Sequence, residues 1–90
     1  MSSDQSLGVT DLKADTTLDV TGLRCPMPLL KARQQLRGMP ANALLLVRAD
    51  DPGARRDIPA WLGQTRHHLV HFVEHEGVYE FFIRAEDKPE

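Results

Sequence analysis

Apolar and polar positions follow two different periods along this chain of 90 residues, and each change of period marks an element. "TTLDVTG", residues 16–22, is rich in β-branched residues and reads as a short strand ended by Gly22. From about Pro26 to Arg37 the spacing is helical. Leu29, Ala32 and Leu36 share one face, Leu30 lies on its flank, and Lys31, Gln34 and Gln35 lie opposite. Gly38, Met39 and Pro40 stop this helix. In "ANALLLVRA" the run from Leu44 to Val47 is apolar without alternation, which predicts an interior strand covered at least in part on both faces. "DDPGARRDIP" opens well for a helix at Asp51 and Pro52, but Pro59 lacks an N–H and disfavours helical angles at Ile58. The expectation is therefore a turn or short helical piece at 52–57, then a main helix from about Ile58 to His68. On it Ile58, Trp61, Leu62 and Thr65 would pack against the sheet, with Trp61 in the core. "LVHFVEHEGVYEFFIR" predicts a hairpin turning at Glu76-Gly77, whose second strand alternates Tyr79, Phe81 and Ile83 with Glu80, Phe82 and Arg84.

The predicted order is βαβαββ, an α/β (α+β) two-layer sandwich. Two helices on one face of a mixed four-stranded sheet would bury every periodic segment. Helical crossovers make the first strands parallel, and the final tight hairpin adds an antiparallel pair. Residues 1–14 are polar and aperiodic and read as a flexible tail, residues 15–86 as a single domain, and 87–90 as a short C-terminal tail. Hydrophobic residues make up 41% of the chain, enough for one small core. The net charge of −2 argues against direct nucleic-acid binding, which needs an excess of Lys and Arg to displace counterions. No apolar run approaches the ~20 residues of a membrane span, and "MSSDQSLGVTDLKAD" carries no hydrophobic signal core. A cytoplasmic location without membrane contact is the expectation.

The chain has one cysteine, in "GLRCPMPLLKARQQL", residues 22–36. One cysteine excludes an internal disulfide, a Cys-x-x-Cys redox pair and a multi-cysteine zinc site, so the product of any reaction at Cys25 must be resolved by a thiol on another molecule. With Cys25 as helix N-cap, Pro26 is the first helical residue, where a missing N–H costs nothing. Pro28 falls among amides with no intrahelical partner, leaving those of Met27 and Leu29 free, yet it also biases Met27 away from helical angles, so a distorted first turn or a start one residue later is the alternative. In either case the sulfur lies near the positive helix end, beside Arg24 and with Lys31 in reach. That predicts a thiol more acidic than usual and hence more nucleophilic. The competing reading is a small buried hydrophobe, although a buried structural thiol has no need of prolines on both sides of its neighbour.

"DVTGLRCPMPLLKARQQL" resembles the N-terminal signature of the TusA/SirA-like sulfur carrier family, built on Gly-x-x-Cys-Pro-x-Pro. The similarity continues through "LLLVRADDPGARRDIPAWL" and into the C-terminal strand pair, about residues 18–84. The resemblance implies a two-layer α/β sandwich, agreeing with the pattern above. It also implies that Cys25 accepts sulfane sulfur as a persulfide and hands it on. Cysteine desulfurases or rhodanese-type proteins would be the donors, and relay proteins for tRNA thiolation, molybdenum-cofactor assembly or sulfur oxidation the acceptors. Gly22, Arg24, Pro26, Pro28 and Lys31 would support the site, Arg24 by favouring the anion, the prolines by shaping the turn and Gly22 by permitting the bend. No cofactor or metal is implied. Some members assigned to tRNA thiolation carry a further cysteine in the second helix, where this chain reads "PAWLGQTRHH".

Three other groups carry weaker signals. His67, His71 and His75 would align on one helix, with His68 beside them, but "LVHFVEH" reads as strand, so a surface or helix-end role is expected rather than a metal site. Arg24, Lys31, Arg33 and Arg37 form the densest basic group and read either as a solvated helix face or as a dock for acidic partners around the thiol. Asp50, Asp51, Arg56 and Asp57 read mainly as capping and turn residues, with a secondary role in shaping the site. The alternative to a sulfur carrier is a regulatory or partner-binding module in which Cys25 is a redox-sensitive element or has no role.

Overall fold

A computed structural model describes residues 13–86. The tails expected at 1–14 and 87–90 lie outside the described residues, apart from residues 13 and 14. The elements are β1 (Thr16–Asp19), α1 (Met27–Arg37), β2 (Leu44–Ala49), α2 (Pro52–Leu62), β3 (His68–His75) and β4 (Val78–Arg84). The order is βαβαββ, as the periodicity predicts.

The sheet runs β1-β2-β4-β3. β1 and β2 are parallel, with Thr16 opposite Leu45 and Asp19 opposite Arg48. The hairpin sends β4 back between β2 and β3, so two antiparallel pairs form rather than the one that the turn alone requires. Burial explains the placement. β4 buries Tyr79, Phe81, Phe82 and Ile83 and takes an interior position, whereas β3, with four exposed or half-exposed His and Glu side chains, is left at an edge. Both residues of the turn, Glu76 and Gly77, have positive φ, the backbone hand that suits a two-residue hairpin.

The core lies between the sheet and the two helices. Leu45, Val47 and Ala49 of β2 and Tyr79, Phe81 and Ile83 of β4 meet Ala32 and Leu36 of α1 and Ala54, Ile58 and Leu62 of α2. Leu29 is half-buried against this cluster and Leu30 is exposed, the division that its flanking position implies. On the opposite face Arg48 bridges Asp19 at 3.6 Å and Glu80 at 3.1 Å, so one guanidinium links three strands.

The expectations for the second helix need correction. α2 is one continuous helix from Pro52 to Leu62, not a short piece followed by a helix reaching His68. Pro59 sits inside it and removes the donor to the Arg55 carbonyl. Gly63 N–H still donates to the Pro59 carbonyl at 3.0 Å, so the last turn closes despite the gap. Burial of Ile58 and Leu62 on one side of the helix offsets the local cost. Thr65 lies beyond the helix, its hydroxyl donating to the Leu62 carbonyl, and Trp61 is half-buried at the core margin rather than enclosed. α1 begins at Met27 with Pro26 as N-cap, the later of the starts that the sequence allows.

Ile58 is fully buried where α2 meets the sheet. Ile58→Ala should therefore lower unfolding free energy by about 2–5 kcal/mol in urea titrations, with an unchanged denaturant slope.

Candidate functional site

Parallel pairing of β1 and β2 carries both strands to the same end of the sheet, so the turn after each must share that end. The pairing continues past β1, with Val20 N–H donating to the Arg48 carbonyl at 2.8 Å. Two carboxylates then fasten one turn to the other. Gly22 N–H donates to Asp50 Oδ1 at 2.9 Å and Cys25 N–H to Asp51 Oδ2 at 3.2 Å. Gly22 has φ +88°, a conformation that side chains rarely adopt, and this bend turns its amide toward Asp50.

Cys25 is exposed. Its Sγ–H donates to Asp57 Oδ2 at 3.1 Å. Gly53 and Asp57 lie four residues apart and so on one side of α2, the side that meets the cysteine. A Cβ on Gly53 would stand 2.9 Å from Asp51 Oδ2, 3.2 Å from Cys25 Cβ and 3.5 Å from Cys25 Sγ. Only a residue without a side chain lets the first turn of α2 approach the thiol this closely.

The electrostatics reverse the sequence-based expectation. The thiol is held above its ordinary pKa, first by the hydrogen bond to Asp57, then by partial desolvation and by the negative charges of Asp57 and Asp51. Arg56 acts in the opposite direction. Met27 N–H, one of the amides that the sequence leaves free near the sulfur, donates to the Arg24 carbonyl at 2.9 Å. A hydrogen bond from the neutral thiol to a carboxylate stabilises the protonated form.

Among the residues expected around the site, Gly22, Pro26 and Pro28 frame the cysteine. Pro26 follows a cis peptide bond, and Pro28 is buried in the first turn of α1. Arg24 is highly exposed and meets Asp51 Oδ1 at 3.8 Å. Lys31 is exposed on α1, and the cation that acts on the thiol is Arg56 of α2. Arg33 lies over the Trp61 ring at 5.8 Å. Asp50, Asp51 and Asp57, read as mainly capping residues, instead bond the cysteine turn, and Asp51 makes no side-chain cap to α2. Gly53 is a further residue of the site, and its signal in the sequence is glycine and aspartate at helical spacing in "GARRD".

The histidines are dispersed. His67 is buried and its Nδ1 accepts from Glu86 N–H, while His68 meets Glu86 Oε2 at 3.6 Å. The ring of His71 packs on Phe82, and His75 lies beside Glu76. Among the described residues no three His, Cys, Asp or Glu side chains come together in a metal-binding group. No helix of the described residues is long and apolar enough to cross a membrane.

The family model described as "Sulfurtransferase TusA" matches residues 16–85, spanning both turns of the site. The chain belongs to the TusA family. Curated relatives of the chain carry the name sulfur carrier protein TusA. The one from Pseudomonas fluorescens (strain SBW25) is 43% identical over 74 residues, covering 82% of this chain and 89% of the relative. That from Pseudomonas putida (strain GB-1) is 41% identical over 76 residues, covering 84% and 95%. The crystal structure of a SirA-like protein from Desulfitobacterium hafniense matches with a TM-score of 0.69, covering 80% of this chain and 99% of that one. At 24% identity that likeness establishes the fold.

Two outcomes test the geometry of this TusA-family site. Because the carboxylate favours the protonated thiol, the rate of Cys25 alkylation by iodoacetamide should still be rising with pH above the ordinary thiol range, with no plateau near neutrality. Gly53→Ala, which in an open helix position would stabilise by about 0.5–1 kcal/mol, should here destabilise by about 1 kcal/mol in the same urea titration used for Ile58→Ala.

Proposed function

We propose that this TusA-family protein is a sulfur carrier that holds sulfane sulfur as a persulfide on Cys25 and passes it to a partner protein in a sulfur relay. The observation that carries this reading is the exposed thiol of Cys25, held on a turn that two carboxylates fix to the neighbouring turn. The chain's single cysteine leaves no second thiol with which a bound sulfur could form an internal disulfide, so the cargo stays as Cys25–S–SH until a partner removes it. The names of the curated relatives support the same reading.

The chemistry is an exchange at sulfur. Cys25 Sγ attacks the terminal sulfur of a donor persulfide, R–S–SH. The donor's S–S bond breaks as the new one forms, and the donor leaves as R–SH with the proton that Cys25 gives up. No oxidant or reductant is consumed. Delivery is the same reaction with an acceptor thiol attacking the terminal sulfur and Cys25 leaving. A cysteine desulfurase or rhodanese-type protein fits as donor because each presents a persulfide, and a relay protein with a reactive thiol fits as acceptor. The exposed Arg24 and Arg56 beside the sulfur favour acidic surfaces on those partners. A lone unpaired thiol is the form that the reducing cytoplasm maintains, and the carrier is placed there.

Incubation with a cysteine desulfurase and cysteine should yield an intact mass heavier by one sulfur atom, reversed by a reducing agent and absent in Cys25→Ser. An unchanged mass with several desulfurase and rhodanese donors would remove the persulfide assignment.

A further inference from the structure

We propose that Asp57 biases the carrier toward giving its sulfur up: its carboxylate stabilises the empty form by accepting the Cys25 S–H bond, and opposes the loaded form, in which that sulfur has no hydrogen to donate. The inference rests on the persulfide reading of Cys25. It follows from two facts about the contact. Cys25 Sγ and Asp57 Oδ2 are 3.1 Å apart, and in the empty protein a proton lies between them. In Cys25–S–SH the same Sγ is bonded to carbon and to sulfur, so it carries no proton in any ionisation state. The carboxylate then faces sulfur lone pairs instead of a donor, and a terminal sulfur that ionises adds like-charge repulsion.

Neither partner is free to withdraw from the contact at no cost. Asp57 is about two-thirds covered and is flanked by Arg56, whose Nε lies 3.5 Å from the other carboxylate oxygen. The backbone of Cys25 is held by Asp51, and Gly53 packs against its Cβ and Sγ. The groups that face the sulfur are thus Asp57, Asp51 and Arg56 from α2 and the turn before it, with Arg24 engaged on Asp51. Asp51 bonds the cysteine amide, which is present in both states, so its hydrogen bond does not distinguish them. Asp57 does, because among the described residues it is the one that bonds the atom whose hydrogen is lost on loading. Relief comes by rotation of the cysteine side chain, which turns the terminal sulfur away from the carboxylate and toward solvent, where an acceptor thiol can reach it.

Glutathione persulfide with excess glutathione provides a defined exchange partner: glutathione persulfide and Cys25–SH interconvert with glutathione and Cys25–S–SH, with atoms and electrons balanced. At equilibrium, Asp57→Asn should raise the ratio of loaded to empty protein several-fold over wild type, measured by intact mass, since a neutral amide removes the charge and offers an N–H to the persulfide. Asp57→Ala, which removes the charge without supplying a donor, should raise it less. Both ratios are taken below the thermal transition of each variant. Ratios equal to or below wild type in both variants overturn the proposal. If wild type takes no sulfur from any donor, the carrier reading itself fails, and this inference with it. A measurement on the unaltered protein is independent of folding of the variants: the infrared S–H stretch, assigned by its absence in Cys25→Ser, should lie at the lowered frequency of a hydrogen-bonded thiol. A band at the free-thiol position overturns the proposal.

Discussion

The site depends on the side-by-side pairing of β1 and β2 in the same direction. Each strand ends in a turn that leads into a helix, and the pairing obliges those turns to share one end of the sheet. Asp50 and Asp51, the residues just after β2, then satisfy the amides of Gly22 and Cys25, which are twenty-eight and twenty-six positions away in sequence. The cysteine turn is therefore not a free loop carried by α1. It is clamped to the start of α2, and the stability of the clamp is coupled to the core beneath it, where Ala54 and Ile58 are buried one helical turn apart.

The sulfur atom consequently feels α2 more than α1. A cysteine ahead of a helix invites an argument from the helix dipole, and that argument favours an ionised thiol. The dipole is a diffuse partial charge, however, whereas the Asp57 carboxylate is a full charge in direct contact with the S–H group. Contact wins. The outcome suits a carrier: an empty thiol kept protonated reacts slowly with stray oxidants and electrophiles.

Much of the fold was legible in the chain. The helical spacing of Leu29, Ala32 and Leu36, the unbroken apolar run at Leu44–Val47 and the alternation of Tyr79, Phe81 and Ile83 all encode burial, and burial determines the layers. Cys25 could be singled out from its framing prolines and from family resemblance. The Asp57 contact could not be read in the same way, for a definite reason. Residues 53 and 57 share a side of any helical piece over 52–57, but no local pattern says that this side meets the cysteine turn, which is set by how α2 packs on the sheet through Ile58 and Leu62. The direction of the thiol's acidity failed with it, since it is decided by a partner thirty-two residues away. In the basic group of α1, Arg33 turns to Trp61, a contact that its neighbours in sequence do not signal.

The direction of the strands also determines where the chain enters and leaves. Asp15 pairs with Leu44 ahead of β1, and Ala85 pairs with Ala43 after β4, both at the sheet end opposite the cysteine. Asp15 and Ala85 thus lie behind the molecule, and a label attached at either of them would leave the reactive tip pointed outward, as on a probe held by its handle.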